Sequence, residues 1–238
     1  MWNRPQLLTA IADLLLAAAA AALLVAGTVW VAKRPHFILS EVVVMHELKE
    51  VRRAEVERAL AGLLRGNFFS VNVEAVRQSL ERISWIRHAE VRRRWPSSLE
   101  LRIEEHEPAA QWGEGAGQLL NTHGEVFTAA SDAHLPVFTG PIDVAPEIAT
   151  QYARFQTALS PLGRQVAEIQ VSDRRAWRIT LDDGMTLELG RDRVAERVEK
   201  FVAAYAVSIA RMREAPRIVD LRYPNGFAVR VKTADNGA

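Results

Sequence analysis

The chain has 238 residues, with 30 basic and 29 acidic side chains, a net charge of +1 and no cysteine. That length accommodates one or two domains, since domains commonly span about 100 to 200 residues. Near neutrality removes the long-range positive field with which nucleic-acid-binding proteins collect phosphates, so no nucleic-acid partner is expected. The lack of cysteine excludes disulfides, thiol nucleophiles and cysteine-type zinc sites.

An uncharged, mostly apolar run near the N-terminus predicts a membrane-spanning helix. The run extends over 14–32, and at about 1.5 Å per residue it matches the ~30 Å hydrocarbon core of a bilayer. A cleavable signal peptide is the alternative, but its apolar region is usually only about 7 to 15 residues long. We therefore expect a short tail at 1–13 and an anchor at 14–32. Positive charges lie on both sides, Arg4 before the run and Lys33-Arg34 after it, so charge leaves the orientation open.

The next segment, from Phe37 to Glu105, alternates between strand and helix patterns. A β-branched run ending near Met45 predicts a strand, and two apolar repeats with helical spacing follow it, the first closed by Gly66 and the second capped by Asn72. Two alternating runs around a Pro-Ser-Ser turn then predict a hairpin. The predicted order is β-α-α-β-β, which suits a small domain with helices on one face of a sheet.

Beyond Pro108 the sequence is dominated by short strand patterns. Strands are predicted at 118–121, 125–128, 169–171, 177–181 and 185–189. Two helical repeats interrupt them, one ended by Pro161 and a longer one that stops before Pro216. The fold class is therefore α+β, with the membrane helix first, the β-α-α-β-β domain second and a strand-rich domain with two helices last.

The last patterned segment, VDLRYPNGFAVRV at 219–231, predicts a terminal β-hairpin. Asn225-Gly226 is expected to supply the positive φ angles of the turn. Unpaired N–H and C=O groups at a sheet edge accept a partner strand by β-augmentation, so the outer side of the last strand is a candidate docking edge. Tyr223 and Phe227 are candidate anchors, with Arg222 and Arg230 placed to meet carboxylates. Spacing alone leaves open the alternative that these aromatics are core residues and the arginines are merely solvated.

No combination of side chains in the sequence indicates catalysis or metal binding. The nearest approach is Glu104-Glu105-His106-Glu107, but consecutive residues of a strand point to opposite faces and cannot converge on one ion. A phosphate-binding loop, a serine elbow and a metalloprotease helix motif are all missing from the sequence. We therefore expect no enzyme activity, no cofactor and no small-molecule substrate, which leaves binding as the function.

A series of residues along the chain carries a family resemblance. Its first part consists of Trp85-Ile86, Ala89, Val91, Arg93, Trp95-Pro96, Leu99, Leu101, Ile103, Glu105, Pro108, Ala110 and Trp112. Its second part consists of Gly124, Phe127, Leu135-Pro136, Gly140-Pro141, Trp177 through Leu189-Gly190-Arg191, and Asp220-Leu221-Arg222-Tyr223 with Gly226. Their order resembles the FtsQ/DivIB family of bacterial cell division proteins over nearly the whole chain.

The resemblance implies a domain organisation and a cellular role that spacing does not establish. It implies a POTRA domain at 37–106, an FtsQ-type β domain at 107–233 and a disordered tail at 234–238. It also implies a single-pass protein of the cell inner membrane, with a cytoplasmic N-terminus and a periplasmic bulk, located at the division septum. Such a protein is a non-enzymatic scaffold of the divisome that joins FtsB and FtsL, has FtsK, FtsW and FtsI as further partners, and links early division proteins to septal peptidoglycan synthesis.

The resemblance also implies a binding site, because a segment of FtsB adds to the last strand of the β domain in this family. Carried over to this chain, the FtsB-binding residues are Arg174, Arg222, Tyr223, Asn225, Gly226, Phe227 and Val229. The chain departs from relatives at Asn225 and Phe227, where smaller residues are frequent, and at Val231, where some carry tryptophan. Those departures change the side-chain anchors and leave a backbone-mediated pairing intact. A POTRA-containing transport or secretion factor is the alternative function.

Overall fold

The computed structural model describes residues 5–32, 39, 41–64, 67–113, 115, 117–212, 214, 216–223 and 226–231, with backbone alone at 5–8 and 31–32. Helix α1, Pro5–Ala32, is the one described helix long and apolar enough to cross a membrane. Its stretch Thr9–Trp30 has a mean hydropathy of 2.2 and exposed side chains. The helix includes the predicted anchor at 14–32 and begins earlier, since Pro5 is tolerated in a first helical turn. The chain divides into two compact units, 1–105 and 106–238.

The first compact unit contains a three-stranded sheet and two short helices in addition to α1. Its elements are β1 (Glu41–Val44), α2 (Arg53–Leu60), α3 (Val73–Leu80), β2 (Ile86–Arg94) and β3 (Ser98–Glu105). The strand order is β1-β3-β2, with β1 parallel and β2 antiparallel to β3. Inward residues such as Ala89, Leu99 and Leu101 are fully buried together with Val76 and Leu80 of α3. The predicted β-α-α-β-β order is confirmed.

The helix ends of this unit follow partly from local signals. Asn72 caps α3, because its Oδ1 accepts a hydrogen bond from the backbone N–H of Ala75 at 3.0 Å, as the sequence predicts. The first helix, however, ends at Leu60 and not near Gly66, which lies outside the described residues. Gly62, with a φ of +89°, takes the left-handed conformation just after it, which glycine adopts without a steric penalty.

Glu105, at the end of β3, fixes the loop that leads into α2. Its carboxylate accepts hydrogen bonds from the backbone N–H groups of Lys49, Glu50 and Val51, with N to O distances of 2.8, 3.0 and 2.7 Å. A charged acceptor shared by three donors is stronger than a neutral one. This side chain of the acidic run Glu104 to Glu107 therefore has a structural role.

We expect Glu105→Ala to lower the free energy of unfolding of the first unit by about 2 kcal/mol, because three backbone donors lose a charged acceptor. Glu104→Ala is the matched control. Glu104 lies on the exposed face and pairs with Arg87 at 2.7 Å, and its loss should change the same free energy by less than about 0.5 kcal/mol. Urea denaturation of the chain in detergent, followed by tryptophan fluorescence, measures both. Equal losses in the two variants would contradict the structural role of Glu105.

The second compact unit contains a nine-stranded sheet and two helices. Its elements are β4 (Pro108–Trp112), β5 (Gln118–Asn121), β6 (Val126–Thr128), β7 (Val137–Thr139), α4 (Ala145–Leu159), β8 (Val166–Val171), β9 (Trp177–Leu181), β10 (Thr186–Gly190), α5 (Val194–Tyr205), β11 (Pro216–Asp220) and β12 (Ala228–Val231). The strand order is β12-β11-β10-β9-β8-β7-β4-β5-β6. The two edges of this sheet are therefore β12 and β6.

The core of the second unit lies between the sheet and its two helices. Trp177, Phe138, Phe155 and Phe201 are its largest fully buried side chains. Phe155 of α4 meets Trp177 of β9 edge to face, with ring centroids 6.2 Å apart. Phe201 belongs to the apolar stripe of α5, the helix that contacts β10. The helix α5 thus covers the sheet next to the terminal hairpin.

Candidate partner-binding edge

Strand β12 forms the edge of the nine-stranded sheet that the sequence singles out. It is antiparallel to β11, with Asp220 opposite Ala228 and Val219 opposite Val229. Among the strands that the structure describes, none pairs with the other side of β12. An edge of this kind leaves backbone N–H and C=O groups available to another strand.

Hydrogen bonding of β11 determines which of its backbone groups face β12. The N–H of Leu221 donates to the carbonyl oxygen of Glu188 on β10, at 2.9 Å. Because backbone groups alternate sides along a strand, Val219 also directs its N–H and C=O to β10. Ile218 and Asp220 therefore direct theirs to β12.

The same alternation assigns the backbone groups of β12. Ala228 and Arg230 lie opposite Asp220 and Ile218, so they form the hydrogen-bonded pairs of the hairpin. Val229 lies opposite Val219 in a pair without backbone hydrogen bonds. Its N–H and C=O therefore point away from β11, toward the open side of the sheet.

The two predicted aromatic anchors occupy different environments. Phe227 is half-buried and packs against the core together with Val229. Of the two interpretations that spacing leaves open, Phe227 therefore fits that of a core residue. Tyr223 is 58% exposed. Of the two rings, Tyr223 is therefore the one that a partner can cover.

The connection between β11 and β12 is longer than the predicted tight turn. Strand β11 ends at Asp220, and the predicted strand residues 221–223 lie outside it. The reason is that Leu221 is buried and bonded to β10, while Arg222 turns back to Asp220. A Cβ at Gly226 would meet open space, and Asn225 lies outside the described residues.

Arg222, predicted to meet a partner's carboxylates, is paired with a carboxylate of this chain. Its Nε and Nη2 donate to the two carboxylate oxygens of Asp220, at 2.8 and 2.6 Å. The hydrogen bonds from Arg222 lower the pKa of Asp220, so this carboxylate stays ionised at pH values at which an ordinary aspartate begins to protonate. A partner carboxylate must therefore share the exposed guanidinium with Asp220.

Gly190, at the end of β10, leaves room for the side chains of two arginines. The sequence does not identify it as a site residue. Its φ is +73°, and a Cβ there would lie 2.8 Å from Nη1 of Arg197 and 3.2 Å from Cγ of Arg222. Arg197, from α5, donates to the carbonyl oxygen of Leu189. The guanidinium group of Arg197 and the aliphatic stem of Arg222 thus lie over the end of β10, where a side chain at position 190 would displace them.

We expect Gly190→Ala to destabilise the second unit more than Gly184→Ala does. Both glycines have positive φ, +73° and +83°, so each substitution carries a backbone strain of about 1 kcal/mol. Only at Gly190 does the new methyl group also meet other side chains, since the space at Gly184 is open. Thermal denaturation of the two variants measures the difference, and equal melting temperatures would show that the close approach of Arg197 and Arg222 is unimportant.

Arg174 lies in the turn between β8 and β9 and is exposed. That turn is stabilised without it, by a hydrogen bond of 2.8 Å from the N–H of Arg175 to Ser172. Within the described part of the chain Arg174 has no ion pair. Because β9 is antiparallel to β10 and β10 parallel to β11, this turn shares one end of the sheet with the β11–β12 connection. At ~4.8 Å per strand, β9 and β12 are roughly 14 Å apart.

A cleft of about 340 Å³ lies between α5 and the β11–β12 connection. Phe201, Leu221 and Phe227 form its apolar floor, and Lys200 and Tyr223 lie at its rim. The cleft thus continues the exposed surface of Tyr223 away from the strand edge.

The described residues contain no group of three or more histidine, aspartate or glutamate side chains that could hold a metal ion. His106, the histidine of the acidic run, stacks on Phe127 with ring centroids 4.0 Å apart. Its Nδ1 lies 2.9 Å from the amide nitrogen of Asn121, a fully buried side chain. His106 therefore packs within the second unit, and the open edge of β12 remains the candidate site.

Two family profiles match the chain. The family described as "POTRA domain, FtsQ-type" matches residues 37–106, and the family described as "Cell division protein FtsQ/DivIB, C-terminal" matches residues 110–222. The second match ends at Arg222, so Tyr223 and strand β12 lie beyond it. The architecture is thus that of a POTRA domain followed by a strand-rich division domain.

Full-length relatives agree with these profiles. The chain is 38% identical to the cell division protein FtsQ of Nitrosospira multiformis, over 97% of this chain and 99% of that protein. It is 39% identical to FtsQ of Bordetella pertussis, over 96% and 92% of the two chains, and 37% identical to FtsQ of Burkholderia pseudomallei, over 97% and 94%. The chain belongs to the FtsQ/DivIB family of cell division proteins, and its role is in cell division.

Proposed function

We propose that the chain is a non-enzymatic scaffold of the bacterial divisome whose β12 edge binds FtsB. The observation that supports this most directly is the outward backbone of Val229 on an edge strand without a neighbour among the described strands. A β-strand of FtsB adds to β12, and backbone hydrogen bonds to Val229 give the affinity. FtsL joins through its coiled-coil pairing with FtsB.

Side chains around the edge give the interaction its specificity. Tyr223 supplies exposed aromatic area beside the seam, and Arg222 offers the guanidinium donors that Asp220 leaves unused. Gly226, where a Cβ would meet open space, lets the partner approach the connection closely, and the neighbouring Asn225 belongs to the same proposed contact surface. Arg174, at the same end of the sheet, meets an acidic residue farther along FtsB. Phe227 and Val229 support the edge from the core side.

The membrane helix gives the scaffold its place in the cell. Helix α1 anchors the chain in the inner membrane as a single span, with the N-terminus in the cytoplasm and the folded chain after α1 in the periplasm. There the chain links early division proteins such as FtsK to the septal peptidoglycan synthase FtsW–FtsI at the septum. The long apolar stretch of α1 supports the anchor, and family membership supports the periplasmic side.

Co-purification tests this function. The tagged full chain, expressed with FtsB and FtsL of the same organism, should retain both proteins after detergent extraction. Depletion of the chain in that organism should give filamentous cells, because septal synthesis is no longer recruited. Purification of the chain without FtsB, or normal division after depletion, would contradict the proposal.

A further inference from the structure

Two exposed aromatic side chains lie at one end of the first compact unit. Trp95, between β2 and β3, is 72% exposed, and Phe69, between α2 and α3, is 54% exposed. Outside α1, the only other large apolar side chain of comparable exposure among the described residues of this unit is Met45, at 44%. Two exposed rings at one end of a small domain are candidates for a contact surface if they lie side by side.

Both aromatics belong to the end of the sheet at which β1 begins. Glu41, the first residue of β1, is paired in parallel register with Ser98, the first residue of β3, so the β2–β3 turn lies at this end. The segment 67–72 is held at the same end by Arg93, whose Nη2 donates to the carbonyl oxygen of Val71 at 2.8 Å. Phe69 and Trp95 therefore project from the same end of the domain.

The exposure of Phe69 is a property of a hydrogen-bonded turn. Oδ1 of Asn67 accepts from the backbone N–H groups of Phe69 and Ser70, at 3.1 and 2.9 Å. Phe68, which is buried, contacts the Phe69 ring edge to face with centroids 5.3 Å apart. The folded chain therefore holds Phe69 outward.

Chain connectivity keeps this end close to the membrane. Only nine residue steps separate Ala32, the end of α1, from Glu41, and at ~3.3–3.6 Å per step they reach at most roughly 30 Å. The chain reaches the opposite end of the sheet only after β1 has run on to Val44. The exposed aromatics thus lie at the end of the domain that is joined to α1 by this short link.

We propose that this end, formed by Phe69, Arg94 and Trp95, docks on the phospholipid headgroup region of the bilayer that holds α1. Tryptophan is enriched at membrane interfaces, and apolar rings beside cations are typical of surfaces that lie in the headgroup layer. Arg94 is exposed, adjoins Trp95 and has no ion pair among the described residues. Arg92 is paired with Glu90, so its charge is already partly compensated. We therefore expect the two rings to supply most of the binding free energy and anionic lipid to add little to it. The inference rests on the proposed membrane anchor and is independent of FtsB.

Lipid-borne quenchers test the docking in the full chain. The sequence lacks cysteine, so a fluorophore can be attached singly through Ser97→Cys at the proposed contact, His46→Cys at the opposite end of the domain, or Thr28→Cys in α1. Each labelled chain is placed in vesicles of phosphatidylethanolamine and phosphatidylglycerol that contain a nitroxide-headgroup lipid. We expect strong quenching at positions 28 and 97 and little at position 46.

Two variants complete the test. Phe69→Ser with Trp95→Ser should reduce quenching at position 97 to the value at position 46, while Met45→Ser, which removes an exposed apolar side chain from the other end, should leave it unchanged. Equal quenching at positions 97 and 46, or quenching at 97 that survives the double substitution, overturns the docking. Protection of position 97 from both lipid nitroxide and aqueous iodide also overturns it, because a protein then covers the site. Loss of quenching at position 28 would refute the anchor itself.

Discussion

Val229→Pro is expected to abolish FtsB binding while the terminal hairpin remains folded. Proline removes the outward N–H of Val229, and its ring projects toward the approaching strand. The partner carbonyl left without a donor costs about 1–3 kcal/mol, and the steric conflict adds to it, so the affinity should fall at least ~100-fold. Biolayer interferometry of the chain against the soluble part of FtsB measures the change.

Two substitutions on the same strand control this result. Val229→Ala keeps the outward N–H and trims only a half-buried side chain, so it should bind almost as well as the parent chain. Ala228→Pro removes an N–H that faces β11, so its main effect should be a less stable hairpin. If Val229→Pro and Val229→Ala bind FtsB equally, backbone pairing at this position does not carry the interaction.

Tyr223→Ala should weaken FtsB binding by about 2 kcal/mol, or about 30-fold, because exposed tyrosines that become covered are frequent hot spots. The free energy of unfolding of this variant should change little, since the Tyr223 ring is 58% exposed. Val207→Ala is the matched control: Val207 is 65% exposed in the same unit, follows the C-terminal end of α5 and does not line the cleft beside the β11–β12 connection. Equal binding by the two alanine variants would exclude Tyr223 as an anchor.

Elements with strong local signals could be predicted from the sequence. The α1 helix, the Asn72 cap, the β2–β3 hairpin and strand β9 follow from periodicity or capping chemistry, and the structure contains them all. Strands β4 and β7 were not predicted. Strand β7 is only three residues long and is paired in parallel with β4 and β8, so its pairing depends on distant segments and leaves no alternation to detect.

The sequence predicts where the candidate site lies in the chain better than it predicts the contacts that the site residues make. Alternation identified the last strand, yet it could not separate Tyr223, which is exposed, from Phe227, which packs on the core. Arg222 and Asp220 are only two residues apart in the sequence, so their ion pair could have been inferred from it. The clearance at Gly190 depends on α5 bringing Arg197 to the end of β10, and no local pattern encodes that proximity.

The dimensions of β12 suit a specific partner. Unprotected edge strands invite indiscriminate pairing, and proteins limit this with short strands and charged residues. Strand β12 has four residues, and Arg230 on it is exposed. A partner strand must therefore pair with a short segment and also contact Tyr223. Together these requirements favour one partner sequence over many.

Amide hydrogen exchange at Val229 tests the docking edge most directly. In the free chain the N–H of Val229 should exchange rapidly, while those of Ala228 and Arg230, bonded to β11, exchange slowly. Saturation with FtsB should slow exchange at Val229 and leave the opposite edge strand, β6, unchanged. Formation of the complex without protection of Val229 would contradict strand addition to β12.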